Sequence, residues 1–130
     1  MSEENLWPVD ALRAQPIRTP VSILNEQGEQ LERLTNGILR CKTANYKRMN
    51  DEDVIIRGFN LVAPLLNNYR FEILRIEHQV YLYPVTVSAH YKENFEAKDE
   101  KDFKAILGRI FQHAETKRII QSLISQSDAQ

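Results

Sequence analysis

Four stretches with strand character lie between residues 38 and 91, and the connections between them are too short to contain a helix. Neighbouring parallel strands need a crossover of about a dozen residues or more, whereas antiparallel strands can be joined by short turns. An apolar stripe at helical spacing lies on each side of this region. The sequence therefore predicts an α+β fold with a four-stranded antiparallel meander flanked by an N-terminal and a C-terminal helix (α-β-β-β-β-α). Both helices are expected to pack on one sheet face.

The two helices are predicted from their end signals and their apolar spacing. Thr19-Pro20 is a helix start, because a threonine N-cap satisfies a free backbone N–H and proline suits the first helical position. Asn36-Gly37 supplies the C-terminal stop. Asp99 is the expected N-cap of the last helix, whose apolar stripe begins at Phe103. Charged residues at 115–118 interrupt that stripe, so one bent helix and two shorter helices both stay open.

The strand segments are rich in β-branched and aromatic residues. They are predicted at 38–46, 54–63, 69–76 and 80–91, with a polar loop at 47–53. Leu74 and Ile76 are out of phase with the start of the third strand, which a β-bulge or burial on both faces explains. Pro84 cannot donate to a ladder, so the fourth strand is expected at an edge or at a bulge.

Length and composition indicate one domain. The chain has 130 residues, of which 42% are hydrophobic, enough for one core. We expect an irregular N-terminal arm at 1–18, a single α+β domain at 19–125 and a frayed tail at 126–130. Lys and Arg number 17 against 18 Asp and Glu, so the net charge of -1 gives no general attraction to nucleic acid or to anionic membranes.

The cysteine count and the hydropathy favour a cytoplasmic protein. Cys41 is the one cysteine, so an intramolecular disulfide is impossible and a reducing compartment is the simplest expectation. The start of the chain lacks the charge and apolar pattern of a secretion signal. No stretch approaches the roughly 18 apolar residues of a membrane span, so no membrane partner is expected.

Residues capable of chemistry are scattered rather than grouped. His78, His90 and His113 lack the spacing of metal ligands, and Cys41 is expected to be buried and inert. The four glycines are too far apart to form a phosphate-binding loop. We therefore predict a protein that is not an enzyme, with no catalytic residue, metal or cofactor.

The leading hypothesis is a small protein-interaction or regulatory domain that forms a homodimer and acts through an exposed sheet face and an edge strand. Tyrosine combines an apolar ring with a polar tip and is common in interfaces. The predicted partner-binding residues are Trp7 in the arm and Tyr81, Tyr83 and Val85 in the fourth strand. For Trp7, packing on its own domain is the favoured interpretation, ahead of contact with a partner.

Two alternatives use other residues. Cationic and aromatic side chains on a sheet can bind single-stranded nucleic acid, and the candidates for a nucleic-acid-binding regulator are Lys42, Arg57, Phe59, Tyr69 and Arg70. Acidic neighbours dilute this charge, so nucleic acid is not favoured. A ligand-binding or enzymatic pocket between the sheet and the helices is the second alternative, with candidates His90, Tyr91 and Glu77.

Overall fold

The computed structural model describes residues 4–46 and 54–130. The loop predicted at 47–53 lies outside the described residues. The helices and strands, in chain order, are α1 (Val9–Arg13), α2 (Pro20–Leu34), β1 (Arg40–Tyr46), β2 (Ile55–Ala63), a 3-10 turn (Pro64–Leu66), β3 (Tyr69–His78), β4 (Val85–Ala89), β5 (Asn94–Ala97), α3 (Glu100–Phe111) and α4 (Ala114–Asp128).

The strands form one antiparallel sheet in the order β1-β2-β3-β4-β5. The predicted α+β class, the meander and the helices at both ends are confirmed. The described sheet has five strands rather than the predicted four, because the polar segment after β4 pairs with β4 as a further strand. There Ala97 pairs with Val85, and Phe95 pairs with Val87.

The predicted strand at 80–91 is wrong in its extent. β4 begins at Val85, and the preceding residues form a loop in which Leu82 has a φ of 79° and the Tyr83–Pro84 peptide is cis. β4 lies between β3 and β5. Pro84 therefore lies outside the strand and precedes an interior one, so its predicted place in a strand at an edge or a bulge is also wrong.

The helices cover one face of the sheet and enclose the core. α2 packs on β1, α3 packs on β4 and β5, and α4 packs on β2 and the 3-10 turn. The fully buried side chains alternate along β4, as expected for one covered face, whereas β2 is buried without a break from Gly58 to Ala63. The largest fully buried side chains are Phe59, Phe103, Ile23, Leu24, Leu39, Leu61, Leu74, Ile76 and Ile110.

A bulge in β3 explains the break in its alternation. Phe59 pairs with Leu74, whereas Leu61 pairs with Phe71, so Ile73 is the extra residue. An extra residue brings the side chains that follow it back onto the covered face. Of the two explanations offered for the phase of Leu74, a bulge or burial on both faces, the bulge is the one present.

Side-chain caps fix the starts of the helices. The Thr19 hydroxyl accepts a hydrogen bond from the Ser22 N–H (3.1 Å), and the Asp99 carboxylate accepts one from the Asp102 N–H (2.8 Å). The C-terminal region forms two helices, and His113 is the N-cap of the second. α4 continues to Asp128, into the predicted tail, and the predicted irregular arm contains the short helix α1.

Candidate functional site

An apolar groove lies between α2 and the C-terminal helices, on the covered side of the sheet. Its volume is about 190 Å³. The helix side chains that line it are Leu31 and Leu34 from α2, Phe111 from α3 and Ile120 from α4, with Gln27 and Gln30 along the α2 side. The sheet contributes Cys41, Phe59, Leu61 and Ile73. The groove therefore extends from the surface down to the main core.

The lip of the groove exposes apolar surface. Leu34 is 82% exposed, although it belongs to the helix that forms one wall. Arg33 is its neighbour in sequence, and Lys117 lies one turn before Ile120 on α4. Residues three apart on a helix are neighbours, so Lys117 is next to the groove side of α4. The residues that line the groove are apolar side chains, Cys41 and two glutamines, and none of them is charged.

Cys41 has no activated thiol. Burial, and secondarily the charge of Glu32, raise the pKa of Cys41 to about 12. Because the thiolate is the nucleophile and the metal ligand, this side chain serves as an apolar part of the groove. The expectation of an inert cysteine agrees with this environment.

The N-terminal arm exposes a further apolar surface. Leu6, Trp7, Leu12 and Ile17 are 68–84% exposed. At the end of the arm, Arg18 forms an exposed ion pair with Glu26 and lies 4.0 Å from the Glu100 carboxylate. The apolar side chains of the arm are in solvent.

The structure separates the four predicted partner-binding residues. Trp7 is 73% exposed, so the favoured interpretation that it packs on its own domain is wrong. Tyr81 is exposed in the loop before β4. Tyr83 is half-buried, and burial together with the nearby Glu100 raises its pKa. Val85 is in the core, so these residues do not form one edge-strand surface.

The predicted nucleic-acid residues are also divided. Lys42 and Arg70 pair with Asn60 and Val62 of β2, in phase with the face that no described helix covers. Phe59 is 2% exposed and lies in the core, so it cannot serve as a stacking platform. Arg57 and Tyr69 are in phase with Phe59, on the covered face. Two of the five candidates, Lys42 and Arg70, therefore lie on the open face.

The open face carries charges of both signs. Tyr46 donates a hydrogen bond to Glu72 (2.7 Å), which is the largest cause of its raised pKa. Arg75 binds the same carboxylate at 3.1 Å and lies 4.2 Å above the Tyr46 ring. Gly58 leaves the space that the Glu72 side chain occupies, because a Cβ added at Gly58 would lie 2.6 Å from Glu72 Oε2. This network is typical of a solvated sheet surface.

Two of the three residues proposed for a pocket, His90 and Tyr91, lie instead in a cluster with His113 and Thr116. The ring of Tyr91 stacks on His113 with centroids 3.7 Å apart, and His90 Nε2 is 2.8 Å from the Thr116 hydroxyl. Burial, and then the nearby His113, lower the pKa of His90. Glu77 pairs with Thr86 and Ile56 on the open face, so it does not join this cluster.

Across residues 4–46 and 54–130, no three or more His, Cys, Asp or Glu side chains converge as metal ligands. In the same ranges, no helix has the length and apolarity needed to cross a bilayer. The sequence predicted an apolar stripe on each side of the strand region, and Leu31, Leu34 and Ile120 belong to these stripes. It did not mark them as a groove, because the gap between α2 and α4 is a property of tertiary packing.

Comparison with known proteins gives no match to a family model, to a curated protein or to a solved structure.

Proposed function

We propose that this protein is a small non-enzymatic interaction domain, and that it binds an apolar polypeptide segment in the groove between α2 and α4. The observation that carries the proposal is the position of Leu34. This side chain is 82% exposed at the lip of a channel whose inner wall is the buried Phe59 ring. Burying a fully exposed leucine contributes about 1.5–3 kcal/mol, so the lip favours an apolar partner.

The shape and chemistry of the groove fit a polypeptide segment. Two helices form its walls, and an amphipathic helix commonly binds in such a groove through apolar residues one turn apart. The polar amides of Gln27 and Gln30 border the apolar lining. They can hydrogen-bond to a polar edge of the bound segment. Binding of another polypeptide in this groove supports the regulatory or accessory role that we propose.

Photo-crosslinking tests the proposal. A photoreactive amino acid in place of Leu34 should crosslink to a polypeptide in native cell extract. The same group in place of Leu65 is the matched control, because Leu65 is also an exposed leucine (57%) but is absent from the groove lining. Crosslinking at position 34 should exceed that at position 65 and should disappear when Gln30→Glu is added. Equal yields at the two positions would refute a groove-specific interaction.

A further inference from the structure

We infer that the segment bound in the groove is the N-terminal arm of a second copy of this chain, so that two subunits exchange their arms. This inference rests on the proposed function and names its partner. One subunit carries both an exposed apolar arm and an open apolar groove. A contact between the arm of one copy and the groove of the other is made twice about a twofold axis, which closes the assembly as a dimer.

The arm has the chemistry of a groove-binding segment. Val9 and Leu12 lie three residues apart on α1, which places them on one side of that helix, and Leu6 precedes it. Trp7 and Ile17 add two further side chains that are each 73% exposed. Solvent contact of so much apolar surface is unfavourable in a lone subunit. The arm is therefore suited to burial against another surface.

The size of the groove fits one aromatic side chain. A cavity of about 150 Å³ lined by aliphatic and aromatic residues can hold benzene, and this groove measures about 190 Å³. Trp7 is the one tryptophan of the chain, and it lies just before Pro8, the N-cap of α1. We assign its ring to the part of the groove that is bordered by Leu34 and Ile120.

The charges near the two surfaces support the arm as the occupant. Glu4 and Asp10 lie on either side of Trp7, whereas Arg33 is the neighbour of Leu34 in sequence and Lys117 lies one turn before Ile120. Opposite charges across an interface favour the correct docking orientation. The sheet residues Phe59, Leu61 and Ile73 of the lining are already buried, so the surface available to the arm is the exposed lip.

Binding within one subunit is the competing arrangement. The arm begins beside Glu26 on α2, the helix that forms one wall of its own groove. In the described subunit, however, Trp7 and Leu12 are 73% and 68% exposed. The arm does not fill its own groove there, which favours the arm of a second copy as the occupant.

Mixing two variants tests the exchange. The recipient carries Trp7→Ala, so it has an intact groove and no tryptophan fluorescence. The donor carries Gln30→Glu and Leu34→Glu, so it keeps Trp7 but has a charged lip. All three positions are exposed, so both variants are expected to fold. Adding the recipient to the donor should shift the Trp7 emission to shorter wavelength and produce a mixed dimer by sedimentation.

The control recipient combines Trp7→Ala with the two lip substitutions and should leave the donor emission unchanged. An unchanged emission with the intact recipient would overturn arm exchange. A wild-type chain that is monomeric at every concentration and already has a buried Trp7 would also overturn it, in favour of binding within one subunit. If the exchange fails while the crosslinking at Leu34 succeeds, the proposed function stands with a different partner.

Discussion

Gly28 of α2 and Cys41 of β1 lie so close together that a Cβ on Gly28 would be 2.8 Å from the Cβ of Cys41. The same added atom would lie 3.7 Å from the Phe59 ring. This approach positions α2 against the edge of the sheet and sets the depth of the groove. The apolar stripe predicted for this helix does not reveal the contact, because Cys41 lies in a different element.

The first prediction compares two helical glycines. Gly28→Ala should lower the free energy of unfolding by about 1–3 kcal/mol, because the new methyl group overpacks a contact with a strand residue. Gly108→Ala is the matched control in α3, where an added Cβ has no described neighbour within 4 Å. That substitution should raise stability by about 0.5–1 kcal/mol. Urea denaturation measures both, and equal shifts of the two midpoints would show that Gly28 is not tightly packed.

The second prediction concerns Phe59, which was a candidate for nucleic-acid stacking. Because the ring is buried, Phe59→Ala should lower the free energy of unfolding by about 3–5 kcal/mol. Tyr69→Ala is the comparison, since Tyr69 is 51% exposed and should have a smaller effect. Chemical denaturation measures this difference. A stable Phe59→Ala variant that loses retention on single-stranded DNA would instead support the nucleic-acid hypothesis.

Local signals in the sequence predicted many of the elements. The Thr19 and Asp99 caps and the Asn36-Gly37 stop depend on neighbouring residues, and each lies where it was expected. The bulge in β3 was also visible as a change of phase. These features could be predicted because their causes lie within a few residues of one another.

Other features depend on contacts that are distant in sequence. Alternating tyrosines before Val85 resembled a strand, but that segment is a loop in which Leu82 has positive φ. β5 is four residues long and was hidden in a polar segment, because its strand state comes from pairing with β4. The groove could not be predicted, since the gap between Leu34 and Ile120 depends on where two helices pack.

A third prediction follows from the environment of Cys41. Its pKa of about 12 leaves little thiolate at neutral pH, so a disulfide reagent should react slowly with the folded protein and rapidly in urea. The control is Cys41→Ser combined with Leu34→Cys, which moves the thiol to the exposed lip. That variant should react rapidly without denaturant. Rapid reaction of folded wild-type protein would contradict the assignment of Cys41 to the groove lining.

The fourth prediction is a dependence of stability on pH through His90. Burial and the nearby His113 lower its pKa below 6.5, although Glu115 acts in the opposite direction. The folded state therefore binds this proton less tightly than the unfolded state does. The stability from neutral His90 is complete above pH 6.5 and is lost as the pH falls toward the lowered pKa.

Urea midpoints between about pH 7 and pH 5 measure this effect. His90→Gln removes the titrating group and keeps a polar group that can bond to the Thr116 hydroxyl. The variant should lose less stability than the wild type over this range. Identical slopes for the two proteins would show that His90 does not contribute.

The central claim is that the groove beside Leu34 binds the N-terminal arm, and a peptide titration tests it most directly. A peptide of residues 4–18 contains Trp7, whereas a Trp7→Ala chain contains no tryptophan, so all tryptophan emission comes from the peptide. We predict a saturable shift of that emission to shorter wavelength, and its loss when the chain also carries Gln30→Glu and Leu34→Glu. An unchanged emission at chain concentrations up to about 1 mM, or equal binding of the peptide to the chain with the charged lip, would contradict the claim.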